Sequence, residues 1–248
     1  MSAFVLALVA GAVTGLALGA LGGGGSVLAV PALIYLLGFT PAAATTASLA
    51  IVTVTSATAL AAHARADTVE WRAGAVFAAA GLVPATLGGA VSGYVPSALL
   101  TGAFAVIAGL AAYRMLRPSA SVREGVPVRP VQVAQAGAGL GAVTGVLGVG
   151  GGFLAVPALV NVVGLRMRAA VGTSLLVITV NSLAALVARA GTATRVDWAL
   201  VAPFAGAAIL GAWDGRRLAA KVSGPTLQRV FALALLAVAA LMLIDMAV

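Results

Sequence analysis

Gly22-Gly23-Gly24-Gly25-Ser26-Val27-Leu28-Ala29-Val30-Pro31-Ala32-Leu33 decides the fold, because the chain writes it twice. The second copy is Gly148-Val149-Gly150-Gly151-Gly152-Phe153-Leu154-Ala155-Val156-Pro157-Ala158-Leu159, 126 residues on in a chain of 248. Further matches flank it. Val69-Glu70-Trp71 answers to Val196-Asp197-Trp198. Gly11-Ala12-Val13-Thr14-Gly15 matches Gly141-Ala142-Val143-Thr144-Gly145 at an offset of 130, so the first copy reads as carrying about one extra helical turn. An apolar chain duplicated around a glycine break has the sequence form of a transporter with paired broken helices.

Composition fixes the class. Hydrophobic residues are 62% and charged residues 8%, with a mean hydropathy of +1.15. A soluble domain carries about 25% charged residues, so this chain is an integral membrane protein. With no Cys, disulfides, thiolate catalysis and thiolate metal sites are excluded. The net charge of +8 fits Lys and Arg held in cytoplasmic loops. No basic run or aromatic platform points to nucleic acid.

A span needs about 20 apolar residues. Eight segments meet or approach this, at about 3–21, 41–62, 72–92, 97–115, 131–148, 168–189, 196–213 and 225–246. Two shorter pieces, about 26–37 and 152–163, each follow a glycine run. The sequence predicts an all-α polytopic membrane protein, with eight long and two short membrane helices in two inverted-topology repeats. Each repeat holds a glycine-broken helix pair. The repeats are residues 1–116 and 131–248, joined by a cytoplasmic linker over 117–130 within one transmembrane domain.

Charge decides whether the short pieces cross. If they do, one face gathers Arg65 and Arg72, the linker Arg117, Arg123 and Arg129, then Arg166 and Arg168, and Asp214–Lys221 with Arg216 and Arg217. The other face keeps Arg189 and Arg195. If the short pieces were re-entrant, two basic loops would lie outside, against the positive-inside rule. Crossing is favoured. It places the chain in the inner (plasma) membrane with both termini outside.

Four glycines in a row cost about 1 kcal/mol each in helix propensity and expose backbone groups that hydrocarbon cannot satisfy. The short helix that follows begins with unpaired N–H groups and about half a positive charge, a ready anion site. A pure hinge is the alternative. Pro31 and Pro157 read as structural helix-break residues. The next helix carries matched polar groups: Thr45, Thr46, Ser48, Thr53, Thr55 and Ser56 against Val171, Gly172, Ser174, Thr179, Asn181 and Ser182. Such hydroxyls either bond their own helix carbonyls or line a pore. Asn181 is the strongest pore candidate, since a buried amide needs partners.

The candidate substrate site is therefore Gly23, Gly24, Gly25, Ser26, Thr46, Ser48, Gly150, Gly151, Gly152, Thr173, Ser174 and Asn181. His63, at the end of a span, reads as an interfacial residue. No catalytic residue, metal or cofactor is expected, because the spans hold almost no nucleophile, base or acid.

The doubled glycine run with V-P-A-L, Gly172-Thr173-Ser174-Leu175, and the Leu87-Gly88-Gly89 and Leu210-Gly211-Ala212 pair resemble the sulfite exporter TauE/SafE family, also called the toluene-sulfonate uptake permease family. The resemblance spans nearly the whole chain. It implies a secondary transporter of small sulfur-containing anions such as sulfite, sulfonates or sulfoacetate, working as an exporter. Protons are the candidate coupling ion, and the partners expected are the anion and the bilayer. An anion channel, or a carrier of another small organic anion, is the alternative. Copy one has Thr46-Ala47-Ser48-Leu49 where copy two has Gly-Thr-Ser-Leu, so the halves differ at the site.

Overall fold

The computed structural model describes residues 2–92, 96–117, 129–147, 152–188 and 196–247, and these residues form helices joined by short turns. In chain order they are α1 (Ser2–Leu21), α2 (Gly24–Pro31, continued by a π-helical turn Ala32–Leu36), α3 (Pro41–Ala64), α4 (Trp71–Ser92), α5 (Ser97–Leu116), α6 (Pro130–Leu147), α7 (Gly152–Asn161), α8 (Met167–Ala188), α9 (Trp198–Lys221) and α10 (Gly224–Ala247). Four of them, α1, α3, α8 and α9, are long and apolar enough to cross a membrane within the described residues. Residues 118–128 of the expected linker lie outside the description.

One boundary differs from the sequence reading. The expected span 196–213 continues as helix to Lys221. Its last two turns bury Gly215 and Ala219, while Asp214 and Arg217 pair across one turn at 3.4 Å. Asp214–Lys221 is therefore a helical extension, and only Val222 and Ser223 separate α9 from α10. Ser223 caps α10 by accepting from the Thr226 amide at 3.3 Å.

Two helix pairs dominate the packing: α1 on α9, and α4 on α6. In the first, a Cβ on Gly11, Gly15 or Gly19 would overlap the carbonyl oxygen of Phe204, Ala208 or Ala212, one after another. Gly211 and Gly215 meet Ala12 and Leu16 of α1 in the same way. The helices run parallel and touch backbone to backbone, which is how small residues drive association where lipid removes any hydrophobic gain. In the second pair, Gly137 meets the Phe77 carbonyl and Gly141 meets that of Gly81.

These contacts correct the alignment of the copies. Gly11 on Phe204 corresponds to Gly137 on Phe77, and Gly15 on Ala208 to Gly141 on Gly81. The first helices thus match at the same 126-residue offset as the glycine runs, with no extra turn. Glycines recur every four residues along both helices, so a one-turn slip preserves the sequence match. The slip fails only when the partner helix is present.

Direction follows from the pairings. α9 ends at Lys221, and α1, parallel to it, ends on that same face. At Gly22 the backbone turns left-handed (φ +77°), and its N–H still closes the helix onto Leu18 O at 2.8 Å. The chain then reverses. Leu33, Leu37 and Phe39 pack beside Ala7, Ala10, Val201 and Phe204, near the starts of α1 and α9. Proline inside the helix explains the π turn, since Pro31 has no N–H to donate to the preceding turn and the helix widens after it.

Both short helices end in one motif. Phe39 N–H donates to Leu33 O at 3.0 Å around Gly38 (φ +69°), and Leu165 N–H donates to Leu159 O at 2.9 Å around Gly164 (φ +81°). A left-handed glycine after the last turn thus lets the next N–H reach back six residues and close an orphan carbonyl at equivalent positions in the two copies.

The α1–α9 zipper makes a prediction. Gly15→Leu should lower stability by about 3 kcal/mol or more, from overpacking against backbone. Gly109→Ala, which meets open space, should be neutral or stabilising by about 0.5 kcal/mol. Thermal unfolding of the two purified variants against the parent checks both.

Candidate functional site

The glycine break of the first half lies against the second half. A Cβ on Gly22 would overlap Ser174 Oγ and stand 3.1 Å from Val156 Cγ2 and 3.2 Å from Val171 Cα. Gly22 thus touches both α7 and α8. Gly23 N-caps α2 with its N–H on Leu21 O at 3.0 Å, and Gly24, Gly25 and Ser26 form the first turn of that helix. Gly152 opens α7. Gly150 and Gly151 lie outside the described residues. Pro31 closes α2, while Pro157 sits buried inside α7.

α3 and α8 cross beside the break, and their polar groups fall in matched sets. Ser48 Oγ donates to Thr45 O and Ser174 Oγ to Val171 O, both at 2.8 Å. Thr53 donates to Leu49 O at 2.7 Å. The Thr179 hydroxyl donates either to Leu175 O at 2.7 Å or across the helix pair to Ser56 Oγ at 2.9 Å. For these four the local reading of membrane hydroxyls holds, with one bond available to stitch the halves together.

Two atoms break that pattern. Thr55 Oγ1 and Asn181 Oδ1 are shielded from solvent and have no hydrogen-bond partner. They occupy equivalent positions, 126 residues apart, on the two crossing helices. A buried unpaired polar group costs about 1–3 kcal/mol. The two groups stand at matched sites, within two residues of the Thr179–Ser56 contact that joins the helices. The sequence singles out Asn181 because amides are rare in spans; Thr55 is hidden there among its neighbouring hydroxyls.

Thr173 has a different setting. It is fully buried, and its Oγ1 accepts from the Glu70 amide at 3.0 Å. Next to it, a Cβ on Gly172 would stand 2.5 Å from Thr68 O. The α3–α4 turn is thereby clamped onto α8. Thr46 is half-buried in α3.

His63 is buried in the last turn of α3. The Thr68 hydroxyl lies 3.0 Å from both His63 O and His63 Nδ1, and the Gly19 backbone faces the same buried ring.

The connecting loops sort onto two ends. Arg168 donates to Ala220 O at 3.2 Å and Val222 O at 3.1 Å. Gln228 donates to Met115 O at 2.7 Å. With the Thr68–Gly172 contact, these bonds bring the turns at 65–70, 115–117, 164–168 and 222–223 to one end. At the other, Leu37–Thr40 and Asp197 share a pocket, and Asp197 caps α9 through Ala199 N–H at 3.0 Å. Among the described residues, the first end carries Arg65, Arg72, Arg117, Arg166 and Arg168, and the second carries no Lys or Arg.

The chain matches the Sulfite exporter TauE/SafE family profile over residues 7–242. It belongs to the sulfite exporter TauE/SafE family. This TauE/SafE chain is 33% identical, over 247 residues, to a "Probable membrane transporter protein" of Xylella fastidiosa strain 9a5c, covering 96% of this chain and 94% of the relative. A protein of the same name from strain Temecula1 matches equally. "Probable membrane transporter protein YunE" of Bacillus subtilis strain 168 is 26% identical over 253 residues, covering 89% of this chain and 88% of the relative. No solved structure matches. The TauE/SafE chain is thus a multi-pass membrane transporter.

The Gly22 contact yields a double-mutant test. Gly22→Ala should abolish activity or lower stability by about 2 kcal/mol, from a left-handed φ plus overlap with Ser174. Adding Ser174→Gly should recover the steric part only. Unfolding of the four variants in detergent reads the coupling, and additivity would mean that the two residues do not meet.

Proposed function

We propose that this protein is a secondary transporter that exports small sulfur-containing anions, of the sulfite, sulfonate or sulfoacetate class, by alternating access. The halves 1–116 and 131–248 act as inverted-topology repeats, each contributing five membrane passages, with the 117–130 linker cytoplasmic and both termini outside the inner membrane. The parallel pairings support this. α1 runs toward the basic end and α6, alongside α4, runs away from it. By the positive-inside rule the basic end is cytoplasmic.

The observation that carries the reading is the contact of the first glycine break with Ser174 and Val156 of the other half. A site shared between two halves is remade whenever one half rocks against the other. Gly23, its own N–H bonded to Leu21 O, brings the anion to the start of α2, where the backbone N–H groups of Gly24–Ser26 and those of Gly150–Gly152 hold it at helix N-termini. Thr46, Ser48, Thr173, Ser174 and Asn181 surround it, and Thr55 joins them as the unpaired counterpart of Asn181. No Lys or Arg sits in this ring, so binding stays reversible.

Flux of radiolabelled sulfite into proteoliposomes tests the proposal. Uptake should saturate, respond to an imposed pH gradient if protons are coupled, and fall at least tenfold in Gly151→Leu. Unchanged flux in that variant would remove the glycine-break site. Conductance without saturation would make the protein a channel.

A further inference from the structure

A second cavity, of about 390 Å³, opens between the C-terminal ends of α3 and α9, and its polar lining is Thr58, Arg65, Arg216 and Arg217 beside the Trp213 ring. Ala61 and Ala62 form the apolar wall. Three arginines line this chamber, and its lining contains no carboxylate. Asp214 neutralises Arg217 on the exposed side. Arg216 differs: it is half-buried, and its Nε is shielded from solvent with no acceptor.

The positive-inside rule accounts for arginines on this face, but exposed loop side chains satisfy it. It gives no reason to enclose a guanidinium within the helix and leave an N–H unpaired, which costs about 1–3 kcal/mol. The duplication offers a second comparison. At the equivalents of Thr58, Arg65, Trp213, Arg216 and Arg217 the chain has Ala184, Gly191, Thr86, Gly89 and Ala90. None of these equivalent positions carries a basic residue, so the arginine lining is written into one end only of the duplicated pattern.

We infer that the Arg65–Arg216 chamber is a second binding site, for a compact oxyanion, that gathers the anion on the basic face before it reaches the glycine breaks. The binding claim stands on the chamber alone, and the gathering role rests on the anion-transport reading above. The planar guanidinium fork matches two oxygens of a sulfite, sulfonate or phosphate group. A cleft lined with one sign of charge between low-dielectric walls concentrates the opposite ion and speeds its arrival. The chamber is roomy enough for an anion of that size together with its water. A lipid phosphate headgroup presents the same oxygens, and the test separates the two sources.

Trp213 is the reporter. With Trp71→Phe and Trp198→Phe it is the one remaining tryptophan. The purified full chain in neutral detergent is titrated with sodium sulfite and sodium sulfate at constant ionic strength. A saturable fluorescence change is expected, with half-saturation raised about tenfold by Arg65→Gln or Arg216→Gln, as loss of one charge-assisted bond requires. Arg216→Lys should recover part of the affinity, and Lys221→Gln should change nothing. Should free anions be silent, nanodiscs of phosphatidylcholine with and without phosphatidylglycerol are compared. A shift that needs both the anionic lipid and the two arginines supports the site with a headgroup as its ligand. No arginine-dependent response in either arm overturns it. The Gly151→Leu protein should keep the Trp213 response while losing flux. Intact flux with a silent Trp213 sinks the chamber alone, and absent flux with a responsive Trp213 sinks the transport reading alone.

Discussion

Backbone-to-backbone contact between small residues holds this molecule together. Lipid chains are as apolar as Leu, so burying a side chain between membrane helices gains little, and close approach has to supply the attraction. Gly11, Gly15 and Gly19 let α1 lie against the carbonyls of α9, and Gly137 and Gly141 do the same for α6 against α4. Both pairs join one half of the chain to the other. Each half therefore packs its first helix along the other half, parallel to its partner.

The seams also fix where the glycine breaks fall. α1 ends one residue before Gly22, whose left-handed turn sends the chain back beside the helix it has just left. The reversal brings the start of α2 to Ser174. Around it α3 and α8 cross, with most hydroxyls satisfied by their own helices and Thr55 and Asn181 unsatisfied. A rigid frame thus surrounds a small set of groups whose bonds are unmade. That combination suits a substrate that must be held and released.

Much of this was legible in the sequence. Gly and Pro punctuate membrane helices strongly, so the Gly22 break and the boundaries near Pro41, Trp71 and Pro130 could be read within a residue or two. The family could be read from the doubled motif. What escaped had physical reasons. The end of α9 was hidden because Asp214, Arg216 and Arg217 look like a loop by hydropathy, although their turn buries Gly215 and Ala219. The copy register slipped by one turn because the glycine spacing is periodic. Buried His63 and the Arg65–Arg216 chamber depend on contacts between residues far apart in the chain. Near the candidate site, the helix break at Gly22 was readable, whereas the anchoring of Thr173 to the Glu70 amide needed the folded α3–α4 turn.

The central claim is that two matched halves cross the bilayer in opposite senses. Thr40 and Arg166 are equivalent positions in the turns after the two short helices, and the chain has no native Cys to confuse a thiol reporter. Thr40→Cys and Arg166→Cys, each alone, would be labelled with a membrane-impermeant maleimide in intact cells and in inverted vesicles. The account predicts that Cys at position 40 reacts only from outside and Cys at position 166 only from the cytoplasmic side. Labelling of both from the same side would contradict it.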